Sequence, residues 1–241
     1  MSGPGARLAL HLVTDDRLPF DRLREVVDAA AGAGVDVVQL RAKSVTAREL
    51  LRQALVLSDV VDRRCLLVVN DRVDVAVAAR DAGARVDGVH LGQTDLPPET
   101  ARRLLGAHAV VGWTANSAGH REAASALPPG TLDYLGVGVI RPTSTKPDHP
   151  PALGVDGFAS FADGSPLPCV AIGGVGIDDI PGLRAAGAAG IAVVSAICGA
   201  EDPAAATRAL REAADAPALE ADASALEAAA ALALEAATVT R

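Results

Sequence analysis

Eight short apolar segments recur along the chain, and stretches with a helical pattern separate most of them. The segments are rich in β-branched residues and run continuously instead of alternating with polar residues. That pattern is typical of strands buried on both faces of a parallel sheet. We predict strands at residues 8–13, 35–40, 66–69, 88–91, 109–113, 134–139, 170–172 and 191–194.

Start and stop signals support helices between these strands. The sequence Thr-Ala-Arg-Glu at 46–49 is a capping box, and Asp202 before Pro203 places a capping side chain ahead of an N1 proline. Ala-Gly pairs suit helix C-termini that lead into the next strand, and they occur at 33–34, 82–83 and 186–187.

Eight buried strands that alternate with helices predict an α/β fold, a single-domain (β/α)8 TIM barrel. A doubly wound open sheet is the alternative, but it usually has five or six strands and often carries GxGxxG after the first. Here the first strand leads into Thr-Asp-Asp-Arg at 14–17, which favours the barrel. We expect the barrel domain to span residues 1–214.

The last part of the chain differs in composition. Residues 215–241 form an acidic, Ala-rich tail, and the stretch 218–237 contains no basic residue. We predict an appended helix that is amphipathic or partly disordered, and we assign it no chemistry.

Charge and cysteine content limit the classes of partner. The formal net charge is −8, which argues against nonspecific binding to nucleic acid or to an anionic membrane. The three cysteines lack CxxC spacing, so they are expected to be buried thiols in a reducing compartment. No apolar run approaches the ~18–20 residues of a membrane span, and the first run is too short for a signal peptide. We therefore expect a cytoplasmic protein.

Polar residues and a glycine pair follow the strands at their carboxyl ends, where the active site of a barrel lies. In strand order they are Gln39, Arg41 and Lys43; Asn70 and Asp71; His90 and Asp95; Thr114; Thr143, Ser144, Thr145 and Lys146; Gly173 and Gly174; and Ser195.

Two phosphate subsites are expected among these residues. Two carboxylates, Asp71 and Asp95, fit a Mg²⁺ site, and three cations, Arg41, Lys43 and Lys146, fit a pyrophosphate beside it. The glycines after strand seven, together with Ser195 after strand eight, mark the position where such barrels commonly bind a second phosphate through backbone N–H groups.

Six motifs, in this order and spacing, resemble those of thiamine phosphate synthases over roughly residues 8–214. They are Gln39-Leu40-Arg41-x-Lys43, Val69-Asn70-Asp71-Arg72, His90-Leu91-Gly92-Gln93-x-Asp95, Thr143-Ser144-Thr145-Lys146, Ile172-Gly173-Gly174 and Val193-Val194-Ser195-Ala196-Ile197. The resemblance implies a transferase that joins a hydroxymethylpyrimidine pyrophosphate to a thiazole phosphate and releases pyrophosphate. It further implies that the C–O bond breaks first and that the thiazole nitrogen captures the resulting cation.

The resemblance also implies a role for each matched residue. Asp71 and Asp95 would bind Mg²⁺, and the catalytic set would be Arg41, Lys43, Thr114 and Lys146. The pyrimidine substrate would contact the segment Gln39, Leu40, Arg41, Ala42 and Lys43, together with Asn70 and Thr114. The thiazole phosphate would contact Thr143, Ser144, Thr145, Gly174, Val194 and Ser195, whereas Lys146 would hold the pyrophosphate together with Arg41 and Lys43.

Three single positions and one three-residue run depart from the family pattern. Ala42 stands where an acidic residue is usual, Thr114 where Ser is usual, and Asn116 where His is common. Val-Ile-Arg at 139–141 replaces a Pro-x-aromatic run, which places a charge near the substrate. We expect these changes to tune the rate and the thiazole fit.

We expect Trp113 and the histidines to have structural roles and not catalytic ones. His90 is expected to pack or hydrogen-bond near the metal loop instead of acting as a base, and Trp113 is expected to pack at the end of the barrel. The other histidines are expected at the surface or in loops, and they are His11, His108, His120 and His149.

Two rival functions remain open. A related barrel enzyme that tautomerises thiazole phosphate needs neither pyrophosphate nor metal, so Asp71, Asp95, Lys43 and Lys146 argue against it. A silent barrel that only binds thiazole phosphate or thiamine phosphate is the second rival. The partners are expected to be small molecules, and homo-oligomerisation is left open.

Overall fold

The computed structural model describes residues 8–143 and 151–216. The strands are β1 Leu10–Val13, β2 Val37–Leu40, β3 Leu66–Asn70, β4 Gly88–Leu91, β5 Val110–Ala115, β6 Tyr134–Gly138, β7 Cys169–Ile172 and β8 Gly190–Val193. The helices are α1 Phe20–Gly32, α2 Ala47–Val61, α3 Val73–Asp81, α4 Pro98–Leu105, α5 Ala118–Ala126, α6 Gly154–Asp163, α7 Ile180–Ala185, α8 Ser195–Cys198 and α9 Pro203–Asp215, with a 3₁₀ turn at Ile177–Asp179.

The strands close into a barrel in sequence order, and each pairs in parallel with the next. Closure comes from β1 and β8, in which Leu10 lies opposite Ile191. The predicted (β/α)8 barrel is therefore confirmed. The boundary at residue 214 stays a prediction, and the tail from residue 217 onward lies outside the described residues.

Local signals in the sequence fix the helix ends. The Thr46 hydroxyl accepts a hydrogen bond from the N–H of Glu49, and the Asp202 carboxylate accepts one from Ala205. Each N-cap side chain thus accepts a hydrogen bond from a backbone N–H group that has no partner within the helix. After α1, α3 and α7 the chain turns through glycines with positive φ at 34, 83 and 187, as the Ala-Gly pairs predict.

Alternation along each strand divides the buried residues into two layers. Outward-facing residues such as Val38 and Leu40 pack against the helices in the larger core. Inward-facing residues fill the centre of the barrel, and they include Val37, Val68, Val110 and Val170. Because alternation continues to the end of each strand, the inward positions at the carboxyl ends point into the mouth of the barrel.

Three aspartates stabilise the opposite, amino-terminal end of the barrel. Asp36, Asp87 and Asp133 each precede an even-numbered strand and accept a hydrogen bond from a backbone N–H of the preceding strand, at 3.0, 2.8 and 2.7 Å. Each carboxylate also pairs with an arginine, respectively Arg211, Arg85 and Arg102. These repeated contacts lie at the amino-terminal end of the barrel, where residues in this fold generally contribute to stability and not to catalysis.

None of the helices in the described ranges 8–143 and 151–216 is both long and apolar enough to cross a membrane.

The expected surface position of His11 is wrong. His11 lies on β1 with 1% of its surface exposed, and its ring meets the Tyr134 ring edge-on at 5.3 Å. Neither ring nitrogen has a hydrogen-bond partner in the described part of the chain. Burial, with a smaller contribution from the charge of His90, lowers the pKa of His11 to about 3. The imidazole is therefore held neutral inside the barrel.

Replacing His11 with Leu should raise the free energy of unfolding and flatten its dependence on pH. An unpaired buried polar group costs about 1–3 kcal/mol, and Leu removes it. Because the folded pKa lies below the unfolded value near 6.5, acid favours the unfolded wild type, so stability is lost as pH falls from 6.5 toward 3. Urea unfolding at pH 7 and pH 5 measures both effects. The exposed His108→Gln serves as the control, and identical pH dependence in His11→Leu and wild type would contradict the assignment.

Candidate functional site at the carboxyl end of the barrel

A cavity of about 410 Å³ opens at the carboxyl ends of the strands. All eight strands contribute to its wall, through residues that include Val13, Gln39, Asn70, His90, Thr114, Gly138, Ile172 and Ala192. The loops that follow add Arg41, Lys43, Asp71, Asp95, Thr143, Gly173, Gly174, Val194 and Ser195. The structure therefore brings most of the residues predicted from the strand ends around one space.

Asp71, Asp95 and Lys43 form a charged cluster on one wall. Lys43 Nζ lies 3.4 Å from Asp71 Oδ2, and the side chain of Asp71 is 21% exposed. Burial, followed by a hydrogen bond with Asp71, raises the pKa of Asp95, and the neighbouring charge of Asp71 adds to the shift. The Gly92 N–H, 2.6 Å from Asp95 Oδ2, and the Lys43 charge oppose that rise. Two crowded carboxylates of this kind favour a bound cation.

The loop after β1 supports the loop after β2. The Thr14 hydroxyl accepts a hydrogen bond from the backbone N–H of Arg41 at 2.8 Å and donates one to the Arg41 carbonyl at 3.0 Å. The Asp16 carboxylate accepts from the backbone N–H of Lys43 at 2.9 Å and from the Ser44 hydroxyl at 3.2 Å. These contacts hold the backbone that carries both cations. Sequence reasoning missed Thr14 and Asp16, although their place directly after strand one is a signal that could have found them.

The side chains of Leu40 and Ala42 do not line the cavity. Leu40 is fully buried in the outer core, and Ala42 packs against that core. Alternation explains both positions, because Gln39 and Arg41 take the inward-facing places on either side of Leu40. The two side chains therefore face away from the cavity, and the expected substrate contacts of Leu40 and Ala42 stay a prediction.

His90 and Thr114 are linked on the adjoining wall. His90 Nε2 lies 3.0 Å from the Thr114 hydroxyl oxygen, and His90 Nδ1 lies 3.0 Å from the Tyr134 hydroxyl. Burial lowers the pKa of His90 to about 4, so the ring is neutral near pH 7. These contacts confirm that His90 packs and hydrogen-bonds. Tyr134, the sole tyrosine of the sequence, was missed because it lies at the start of its strand.

Trp113 and Gln93 link the loop after β4 to strand β5. The Trp113 indole is 8% exposed and donates a hydrogen bond to the Gly92 carbonyl at 3.2 Å, which confirms its packing role. Gln93 Nε2 donates to the Thr114 carbonyl at 2.5 Å. The backbone of the β4 loop and of β5 is therefore fixed next to Asp95.

Gly173 and Gly174 allow two loops to approach closely. Their φ angles are 93° and 66°, values that favour glycine. A Cβ atom on Gly174 would lie 2.7 Å from the Arg141 carbonyl oxygen and 2.9 Å from that of Pro142. The backbone N–H of Arg141 in turn donates to the Gly173 carbonyl at 2.9 Å. Only glycine therefore permits this contact between the loops after β6 and β7.

Two of the departures from the family pattern can now be placed. The Arg141 guanidinium pairs with Asp179 at 2.7 Å, is 55% exposed and does not line the cavity. Asn116 does line the cavity, and its backbone N–H donates to His120 Nδ1 at 3.4 Å. Ser144, Thr145 and Lys146 lie outside the described residues, so their predicted contacts remain predictions.

A closed (β/α)8 barrel with a carboxylate pair, cations and a glycine-lined loop at its mouth defines a class, the barrel enzymes that act on phosphorylated substrates. A family model described as thiamine monophosphate synthase matches residues 10–197. The chain belongs to the thiamine monophosphate synthase family, and it is an enzyme, a transferase of thiamine biosynthesis.

Individual relatives agree with this assignment. A thiamine-phosphate synthase of Azorhizobium caulinodans is 45% identical over 206 residues, covering 85% of this chain and 93% of the relative. One of Albidiferax ferrireducens is 43% identical over 211 residues, covering 87% and 93%. The solved structure of a thiamine phosphate pyrophosphorylase from Pyrococcus furiosus matches with a TM-score of 0.74 and 32% identity, covering 88% of this chain and 97% of that one.

Gly174→Ala should weaken the binding of inorganic phosphate at least about tenfold, because the added Cβ would push apart the two loops whose backbone N–H groups are predicted to bind phosphate. Calorimetric titration with phosphate measures the change. Gly83→Ala is the matched control, since Gly83 also has a positive φ, 89°, but a Cβ there would meet nothing within 4 Å. Both variants should lose ~1–2 kcal/mol of stability from the backbone angle. Equal phosphate affinity in the two would contradict the role of Gly174.

Proposed function

We propose that this protein joins a hydroxymethylpyrimidine pyrophosphate to a thiazole phosphate, forming thiamine phosphate and pyrophosphate. In this reaction the bond between the pyrimidine methylene carbon and the bridging oxygen breaks, and the leaving pyrophosphate takes the electron pair. The thiazole nitrogen then donates its lone pair to the methylene carbon. The observation that carries the proposal is the Asp71, Asp95 and Lys43 cluster, which shares one cavity with the Gly173–Gly174 loop.

The leaving group determines what the protein must supply. Departure of pyrophosphate places negative charge on its oxygens, and fixed positive charges aimed at those oxygens stabilise the transition state. Arg41 and Lys43 line the cavity and are assigned this role. The backbone N–H groups of Arg41 and Lys43 donate hydrogen bonds to Thr14 and Asp16, and these contacts hold the loop before substrate arrives. Lys146 is assigned the same role by the sequence.

Asp71 and Asp95 would hold a Mg²⁺ ion. Burial and the neighbouring Asp71 raise the pKa of Asp95, and a bound cation would relieve the repulsion between the two carboxylates. The described residues contain no group of three or more His, Cys, Asp or Glu side chains that could hold a metal ion. Mg²⁺ commonly binds one or two carboxylates together with substrate phosphates and water, so the pair fits. When bound, the ion would neutralise charge on the pyrophosphate.

The remaining residues of the cavity divide between the two substrates. Gln39 and Asn70 carry amide groups that suit the donors and acceptors of an aminopyrimidine, and Thr114 lines the same cavity. The same cavity is lined by residues that follow β6, β7 and β8, namely Thr143, Gly174, Val194 and Ser195. There the loops after β7 and β8 offer the usual phosphate position of this fold, which suits the thiazole phosphate.

A tautomerase or a silent binding barrel is not favoured. Neither function uses a carboxylate pair next to a cation, and crowding two carboxylates destabilises a site that has no cation to hold. Retention of Asp71, Asp95 and Lys43 in one cluster therefore supports the transferase.

We also propose a cytoplasmic location. Cys65, Cys169 and Cys198 are free and buried. Burial raises the pKa of the Cys65 thiol to about 12 and that of Cys198 to about 11, so these thiols are neutral near pH 7. Unpaired, unreactive thiols suit a reducing compartment.

The direct test supplies purified protein with the pyrimidine pyrophosphate, the thiazole phosphate and Mg²⁺, and an EDTA sample serves as control. We expect pyrophosphate release that requires both the metal and the thiazole phosphate, with thiamine phosphate as the product. A folded protein that binds thiazole phosphate but releases no pyrophosphate would instead be the sensor. Tautomerisation of thiazole phosphate without pyrophosphate release would identify the isomerase.

Asp71→Asn should lower turnover by about 10²-fold or more and raise the Mg²⁺ concentration needed for half-maximal rate, because the variant removes one of the two charges that hold the ion. The fold should be retained, since Asn tolerates the left-handed φ of 63° at this position. Steady-state rates across a Mg²⁺ titration measure both effects.

Asp74→Asn is the matched control for Asp71→Asn. Asp74 lies three residues further along, pairs with Arg72 and has a side chain that is 64% exposed. Its substitution should leave the rate and the Mg²⁺ requirement unchanged. Wild-type kinetics in a folded Asp71→Asn protein would refute the metal assignment.

A further inference from the structure

Tyr134 crosses the inside of the barrel to reach His90. It begins β6, is 1% exposed, and its hydroxyl lies 3.0 Å from His90 Nδ1 on β4. The intervening strand, β5, carries Gly112, where a Cβ would lie 2.2 Å from Tyr134 Cζ and 2.5 Å from its hydroxyl oxygen. The ring therefore passes over β5 only because residue 112 is glycine.

His90 fits against a second inward-facing glycine. A Cβ on Gly136 of β6 would lie 2.8 Å from His90 Cε1 and 3.2 Å from Nε2. In this position the ring reaches Thr114 through Nε2 and Tyr134 through Nδ1. Two glycines thus make room for a line of three polar side chains, which runs from the barrel interior to the cavity wall.

The direction of these hydrogen bonds follows from counting donors. A neutral imidazole has one N–H donor and one acceptor nitrogen. His90 is 6% exposed and both of its ring nitrogens face neutral hydroxyl groups, an environment that favours the neutral form. If Nδ1 carried the proton, the Tyr134 hydroxyl would accept it, and its own O–H would have no acceptor in the described part of the chain, where His90 is its hydrogen-bond partner. A buried donor without an acceptor is costly.

The opposite direction leaves no buried donor unpaired. The Tyr134 O–H donates to Nδ1, which places the proton of His90 on Nε2. The Nε2–H then donates to the Thr114 oxygen. In this arrangement the Thr114 O–H does not donate to His90. Because Thr114 lines the cavity, this O–H can donate to a molecule bound there.

We propose that Tyr134 is a positioning residue that acts through His90 to make the Thr114 hydroxyl a hydrogen-bond donor to the bound pyrimidine substrate. This inference rests on the proposed function, because the substrate is the acceptor. The backbone of Thr114 is held as well, since the Gln93 side chain donates a hydrogen bond to the Thr114 carbonyl. A hydroxyl fixed in both position and direction before substrate binds costs no reorganisation during the reaction.

The first test is the tautomer of His90 in the wild-type protein. A long-range ¹H–¹⁵N spectrum with ¹⁵N-labelled histidine distinguishes a protonated from an unprotonated ring nitrogen, and His90→Asn assigns the signal among the five histidines. We expect the proton on Nε2 in the free protein. A proton on Nδ1 would overturn the proposal. This readout requires no turnover, so it does not depend on the proposed reaction.

The second test is a double-variant cycle on activity. Tyr134→Phe should lower kcat/KM about tenfold, the effect of one hydrogen bond, and should mix the two His90 tautomers. Thr114→Val should lower kcat/KM more, and Thr114→Ser should restore activity close to wild type. In the Thr114→Val background, Tyr134→Phe should cause no further loss, because its target hydroxyl is gone. A full additional loss there would overturn the proposal.

Thr207→Val is the control for loss of a buried hydroxyl. The Thr207 side chain is fully buried and donates to the Pro203 carbonyl, away from the cavity. This variant should lose stability without loss of kcat/KM.

If Tyr134→Phe fails to fold, the wild-type spectrum and the two Thr114 variants still test the proposal. If the wild type makes no thiamine phosphate, the proposed function fails, whereas a proton on Nδ1 refutes the hydrogen-bond direction alone.

Discussion

Side chains on a strand alternate between two faces, and closing eight parallel strands into a ring makes that alternation decide which residues meet at the centre. On β2, the same rule sends Leu40 outward to the helices and Gln39 inward to the cavity. On β6 it turns Tyr134, Gly136 and Gly138 inward together. The substrate cavity is the last inward-facing layer of the barrel, extended by the loops.

The two ends of the barrel use their aspartates differently. At the amino-terminal end, Asp36, Asp87 and Asp133 each accept a backbone N–H and pair with an arginine, so their charge is neutralised within the fold. At the carboxyl end, Asp71 and Asp95 crowd each other, with Lys43 as the nearby cation. Charge left partly uncompensated at one end of a stable barrel is available to bind a ligand.

Much of this arrangement can be predicted from the sequence. The eight apolar runs predict the strands because a parallel barrel buries both faces, and the residues that follow each run then fall at one end. The position of His11 could not be predicted this way, because an apolar run does not show which of its residues faces inward. The path of Tyr134 was missed for a related reason, since it depends on Gly112 on a different strand. Contacts between strands depend on register, and a single sequence does not reveal register.

The departures from the family pattern are consistent with an unchanged central reaction. Ala42 packs away from the cavity, and Arg141 pairs with Asp179, so neither side chain lines the substrate space. Thr114 keeps the hydroxyl that His90 contacts, and the methyl group of Thr restricts its rotamers more than Ser would. A hydroxyl that must point in one direction benefits from that restriction. The substitution at 114 therefore fits the hydrogen-bond chain that ends there. Asn116, the other departure with a polar side chain on the cavity wall, places an amide where the family commonly has an imidazole.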